Sequence, residues 1–278
     1  MFDELHLAGF PGEPSPGVNA VSSSSHASRD RSAPVPRPGP VRVWLAEGAA
    51  TLVMLLAMTV LFRHLLHPEA WPARHLTSDT GRLLADAVAS GAVVGGLVAS
   101  PLGRISGAHM NPAVTVMLGA AGRLPLARLP LYVSAQLAGS LAGTALGRVL
   151  LGDPVAHPQV RYALLRPLLD EPPSLIGIGE AVGTAVLLAV VVRLARDPRL
   201  EAVAPATIGA TLTVLIILTA PVAGGSLNPA RQFGPWLMAG RPGPAWPYLA
   251  GPLAAAVVVG ALARLLPTRG TTAPATPR

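Results

Sequence analysis

The sequence predicts an all-α membrane protein, with six transmembrane helices and two re-entrant half-helices arranged as an inverted repeat. Three observations predict it. Charged residues make up only 13% of the 278 positions while 51% are apolar, against roughly 25% charged in a soluble domain. So few charges could not cover the surface of a soluble enzyme of this length. Six apolar stretches, at 42–62, 82–103, 128–150, 174–194, 202–222 and 245–266, each approach the about 20 residues of helix that cross a hydrocarbon core. Finally, one short motif recurs at the same place in each half of the chain.

The elements follow in order. Residues 1–40 are rich in Pro, Ser and Gly, bury too little apolar surface to order themselves, and are expected to form a disordered tail. They hold no hydrophobic stretch of the kind a cleaved signal peptide needs. Residues 267–278 form a similar, shorter tail, leaving 41–266 as the membrane domain. Two apolar pieces, 110–121 and 228–239, are too short to span and suit half-helices that enter and leave on one side.

The repeat is visible in the letters. Glu47-Gly48-Ala49-Ala50-Thr51 opens the first span and Glu180-Ala181-Val182-Gly183-Thr184 the fourth. Ser106-Gly107-Ala108-His109-Met110-Asn111-Pro112-Ala113 precedes one short piece, and Gly224-Gly225-Ser226-Leu227-Asn228-Pro229-Ala230-Arg231 the other. Three spans per half turn the second copy upside down, so 42–150 and 174–266 are inverted halves joined by 151–173. Six spans also put both termini on one side. That side carries 13 of the 21 Arg residues and the other side 8, a bias that favours cytoplasmic termini in a plasma-membrane protein. The chain has no Lys and no Cys, which excludes disulfides, thiolate metal sites and cysteine nucleophiles.

Asn is a strong N-cap and Pro is favoured at the first helical position, so each Asn-Pro-Ala is a helix start. Such a start, inside a membrane cavity, presents unpaired N–H groups and the positive end of the dipole. Two starts from opposite leaflets would meet near the midplane and hold the Asn111 and Asn228 side chains towards a permeating molecule. The unwound backbone at Gly107, Ala108 and His109, and at Gly224, Gly225 and Ser226, would supply carbonyl acceptors along the path. Arg231 sits in the first turn of a half-helix, against the dipole, and a residue placed against its local preference points to function. His109 is expected to be structural in its loop rather than a proton relay, and Asp86, near the outer end of the second span, either shapes a vestibule or, as the favoured reading, faces an interface.

The two boxes, with Asn111-Pro112-Ala113 and Asn228-Pro229-Ala230 at their centres, resemble those of the major intrinsic protein family, the aquaporins and glycerol facilitators, over about residues 42–266. The resemblance implies an aquaporin-like pore, a homotetramer in membrane lipid, and passive passage of water and small neutral solutes with protons and ions excluded. It implies no catalytic residue, metal or cofactor, and no nucleic-acid partner. It makes Glu47 and Glu180 structural acids that brace the half-helix loops, and Arg231 the filter arginine. The remaining filter positions fall on Ser90 or Gly91, on Ile216 where a water filter has His, and on Gly225. Without an aromatic wall this filter resembles those passing glycerol, urea, boric acid or arsenous acid. Gln232 departs from the Asp of glycerol facilitators. A strict water channel is the alternative, and an ion-coupled transporter built from inverted repeats is a rival of another class.

Overall fold

The computed structural model describes residues 38–266. The expected tails fall outside the described residues except for 38–40, where Pro40 already opens the first helix. Ten α-helices run in chain order among the described residues: α1 Pro40–Leu66, α2 Trp71–His75, α3 Asp79–Ala99, α4 Pro101–Ser106, α5 Pro112–Ala120, α6 Leu129–Leu151, α7 Pro173–Ala195, α8 Ala204–Ala223, α9 Pro229–Met238 and α10 Trp246–Leu265. Short 3₁₀ turns lie between them, and among the described residues there is no strand. The six long helices match the six predicted spans, and α5 and α9 match the two short pieces.

Two expectations need correcting. The second span was expected over 82–103, but α3 starts earlier and stops at Ala99. Ser78 caps its start by accepting from the Gly81 N–H at 3.0 Å. Pro101 lacks the donor that would continue the helix, so the chain restarts as α4. Also, α1, α3, α7, α8 with its preceding turn, and α10 are long and apolar enough to cross a membrane, while α6 has the length without the apolarity. Its Gln136, Ser140 and Thr144 are buried against other helices, so polarity that lipid would oppose is kept inside the bundle.

Each half packs its first long helix on its last, α1 on α6 and α7 on α10, and α3 meets α8 across the join. The half-helices cross over: α5 packs on α10 and α9 on α6. Small residues allow these approaches, as in membrane bundles generally. At the α3–α8 contact a Cβ on Gly91 would collide with the Gly209 carbonyl and the Thr213 hydroxyl. At the α9–α6 contact the Ser140 Oγ donates to the Ala230 carbonyl at 2.5 Å and accepts from the Gly234 N–H at 2.9 Å. Both half-helices are thereby seated on the opposite half of the chain, with their N-termini facing each other in the centre.

Candidate functional site: a cavity between two helix starts

The chain before each half-helix is left-handed. Gly107 and Gly224 have φ of 89° and 86°, which glycine tolerates, but Ala108, Met110 and Leu227 also have positive φ, at 41°, 48° and 53°. Non-glycine residues in this region are strained and persist only where the surroundings hold them. Here the two buried acids hold them. Glu47 accepts from the His109 N–H at 3.2 Å, the Met110 N–H at 2.5 Å and the Gln136 Nε2 at 2.8 Å. Glu180 accepts from the Ser226 N–H at 2.8 Å and the Leu227 N–H at 2.6 Å. In each pair of bonds to the loop both carboxylate oxygens accept, as an ionised carboxylate can.

The two asparagines lock the loops to each other. Asn111 Oδ1 caps its own helix by accepting from the Ala113 N–H at 2.8 Å, and its Nδ2 donates to the Leu227 carbonyl at 2.9 Å. Asn228 Oδ1 accepts from the Ala230 and Arg231 N–H groups at 2.9 and 3.3 Å, and its Nδ2 donates to the Met110 carbonyl at 2.8 Å. One N–H of each amide is thus fixed, and each Nδ2 carries a second. Met110 and Leu227 are clamped on both sides, N–H to a glutamate and C=O to the facing asparagine. Beside the first loop, His109 stacks on Tyr132 at 4.6 Å and its Nδ1 lies 3.1 Å from the Thr115 Oγ1. Its place against these groups fits a structural task in the loop.

A cavity of about 110 Å³ runs past these helix starts. Both asparagines line it, with Gly107, Ala108, His109 and Met110 from one loop and Gly225 and Ser226 from the other. Its walls on α3 extend from Asp86 to Val98, roughly 18 Å at 1.5 Å per residue. Ser90, Ile216, Gly225 and Arg231 meet in its lining, and Leu165 joins them from the chain between α6 and α7. Gly91 does not: it is the contact of α3 with α8. Gly224 also lies outside the lining, beside Tyr248 and Arg166. Of the two readings of Asp86 the favoured one, an interface, is not what is seen: the residue lines the cavity one turn from Ser90.

Arg231 is positioned by groups the sequence did not announce. Its Nη1 donates to the Ala163 carbonyl at 2.7 Å, and its guanidinium lies 5.1 Å from the centroid of the Phe62 ring. An aromatic therefore backs the arginine from α1, behind the lining rather than in it. Ala163 ends three consecutive left-handed residues, Arg161, Tyr162 and Ala163, with φ of 46°, 56° and 63°. Gln232 holds the next turn: its Oε1 accepts from the Leu165 N–H at 3.2 Å and its Nε2 donates to the Leu165 carbonyl at 2.9 Å. This amide-to-backbone pairing needs both a donor and an acceptor, which Gln supplies and an ionised Asp does not. Outside the membrane-spanning segments, the His67 ring lies beside that of His157, tilted by 59° at 4.8 Å between centroids. Burial, with Arg63 and His157 adding to it and Glu69 opposing, holds His67 below the usual imidazole range.

The family model for Major intrinsic protein matches residues 36–263. The chain belongs to the major intrinsic protein family. Among its relatives, aquaporin NIP1-3 of Oryza sativa subsp. japonica is 40% identical over 157 residues, 56% of this chain and 53% of that protein. Aquaporin-8 of Mus musculus is 35% identical over 198 residues, 68% of this chain and 72% of that one. In these matches the chain spans about half the length of the plant relatives. The aquaglyceroporin from Plasmodium falciparum shares the fold, with a TM-score of 0.62 over 81% of this chain and 94% of that one at 18% identity. This family member is a helical membrane protein.

Proposed function

We propose that the chain is a passive transmembrane channel for water and small uncharged solutes of the glycerol, urea, boric or arsenous acid kind, which excludes protons and ions. The observation that carries this reading is the cavity lined by two facing helix starts and by Arg231. Two positive helix ends and a guanidinium repel cations, and asparagine N–H groups give a neutral solute donors in exchange for its water. Ser90, Ile216 and Gly225 are small or aliphatic, which supports passage of solutes larger than water. Glu47 and Glu180 accept from the backbone of the loops, and Glu47 from Gln136 of α6 as well, which argues against their use in ion coupling. The apolar side chains exposed on the long helices, such as Val88, Val149, Val182, Leu218 and Val258, would face lipid and neighbouring copies in a homotetramer. Both termini would lie in the cytoplasm, with the protein in the plasma membrane.

The experiment is stopped-flow light scattering on proteoliposomes of the purified chain. Fast shrinkage with an impermeant osmolyte, and fast re-swelling with glycerol, urea and boric acid, is the expected result, with no proton or sodium leak. Water flux without solute entry would make the protein a strict water channel. Solute flux that needs an ion gradient would make it a coupled transporter, and rates equal to empty liposomes would overturn the reading altogether.

A further inference from the structure

We infer that Asp86 is a specificity-determining residue of this pore, the acceptor that admits solutes rich in hydrogen-bond donors. The inference rests on the channel reading above and deepens it. Among the described residues, Asp86 is the one carboxylate in the cavity lining. Other acids have structural tasks. Glu47 and Glu180 hold the loops, Asp79 stands in the first turn of α3, Asp153 pairs with Arg148, and Asp197 pairs with Arg193 at 3.0 Å. Asp86 lies well inside α3, so it neither caps nor starts the helix. A carboxylate at membrane depth is costly, and one that faces a water-lined cavity is a functional group by default.

Its surroundings say what it would do. The Ser90 Oγ lies 3.1 Å from Asp86 Oδ1 and 3.2 Å from Met58 Sδ; its single proton goes to the carboxylate, the stronger acceptor, which leaves the serine lone pairs for the cavity. No other hydrogen bond to Asp86 is present among the described residues, so Oδ2 keeps its accepting capacity. Arg231 lines the same cavity. One of its five donors is held by Ala163, and the others remain for a solute. The facing walls, Ile216 and Leu165, are hydrocarbon.

A solute at this level therefore meets donors from Arg231, acceptors from Asp86 and Ser90, and nothing polar from the other side chains. Entering the narrow section strips a solute of water. Each donor left without an acceptor raises the barrier, since an unpaired polar group in an apolar setting is penalised. Urea, with four N–H donors, and glycerol or B(OH)₃, with three O–H donors, lose most, and Asp86 replaces part of that loss. Water is small enough to keep its hydrogen bonds within a single file.

The test is the solute-to-water permeability ratio in proteoliposomes for wild type, Asp86→Asn and Ser90→Ala. Asp86→Asn keeps the shape but replaces an acceptor oxygen with a donor nitrogen. It should lower glycerol, urea and boric acid permeability at least five-fold while water stays within two-fold. Ser90→Ala keeps the carboxylate and removes the lesser acceptor, so it should lower the same solutes less than Asp86→Asn does, with water again within two-fold. Solute permeability unchanged in Asp86→Asn overturns the assignment and leaves the channel reading standing. So does an equal loss for water and solutes with a lowered melting temperature, which marks a structural role. Wild type that passes water but no solute removes the solute reading itself, and this assignment with it.

Discussion

Changing Glu180 to Gln tests whether a buried carboxylate holds the second loop in its strained shape. In the native protein both oxygens accept from backbone N–H groups, Ser226 at 2.8 Å and Leu227 at 2.6 Å. Gln keeps one acceptor and turns an NH₂ towards the other N–H. A hydrogen bond to a charged group contributes about 1.5–3 kcal/mol and a neutral one about half that, so the exchange removes about 2–4 kcal/mol. At 1.4 kcal/mol per factor of ten, the displaced loop becomes roughly 30 to 1,000 times more populated relative to the native one. Leu227 would then release Asn111, whose Nδ2 it accepts at 2.9 Å. The expected outcome is a lower melting temperature in detergent and several-fold slower water flux in proteoliposomes. Glu47→Gln should be milder by about one hydrogen bond, about 1 kcal/mol. Gln136 Oε1 is buried without a partner, and rotating that amide gives the new NH₂ an acceptor. If Glu180→Gln melts and conducts like wild type, the acid does not brace the loop. If Glu47→Gln is the more damaging of the two, the account of Gln136 is wrong.

Three other perturbations follow from the geometry. Gly91→Ala forces α3 from α8, because its Cβ collides with the Gly209 carbonyl and the Thr213 hydroxyl; overpacking of this kind destabilises by about 1–3 kcal/mol. An unchanged thermal melt would contradict that contact. Arg231→Ala should raise glycerol and urea permeability several-fold, with a smaller rise in cation leak, and unchanged solute rates would remove the arginine from the filter. His67 is held below its ordinary value of 6.5, so the unfolded chain binds the proton more readily than the folded one. Its contribution to stability is present above about pH 6.5 and is lost as pH falls through the folded value. Asn at this position can still accept from the Glu69 N–H, bonded to Nδ1 at 3.3 Å, but does not titrate. The melting temperature of His67→Asn should therefore fall less than that of wild type between about pH 7 and pH 5; parallel falls would count against the burial of His67.

Much of the architecture is readable in the letters because each part has a local cause. Asn-Pro-Ala starts a helix by capping alone, and a run of about 10 apolar residues is too short to cross whatever surrounds it. The repeat of Glu47 and Glu180 places two acids at matching depths, and their partners prove to be matching N–H groups. What stayed hidden depends on long-range packing. Ser90 and Gly91 are adjacent letters, and only the rotation of α3 against α8 puts one in the cavity and the other in the helix contact. Asp86 follows from that rotation, four residues and one turn from Ser90. Phe62, Ala163 and Leu165 carry no motif, and they reach Arg231 or the cavity because the chain from α6 to α7 folds back over α9. A sign of that fold was present in Gln232, whose departure from the family pattern marks an amide paired with the Leu165 backbone.

The two halves repeat their scaffold and differ in their chemistry, and this division bears on selectivity. Glu47 and Glu180, Met110 and Leu227, and Asn111 and Asn228 perform the same tasks in mirror order. Symmetric parts present two positive helix ends at the centre, which in the proposed channel would oppose cations whichever neutral solute is passing. Discrimination among neutral solutes needs groups present on one side only. The residue after Asn-Pro-Ala is Val114 in the first half and Arg231 in the second, and both line the cavity. The acceptor for Arg231 comes from Ala163 in the segment joining the halves, which has no counterpart in the repeat. Loss of Arg231 therefore removes one of three positive features that oppose cations, but the whole of the side-chain donor set at that end of the pore. Solute selectivity should fail before cation exclusion does, and a variant in which the order is reversed would show that the two helix starts are not the main barrier.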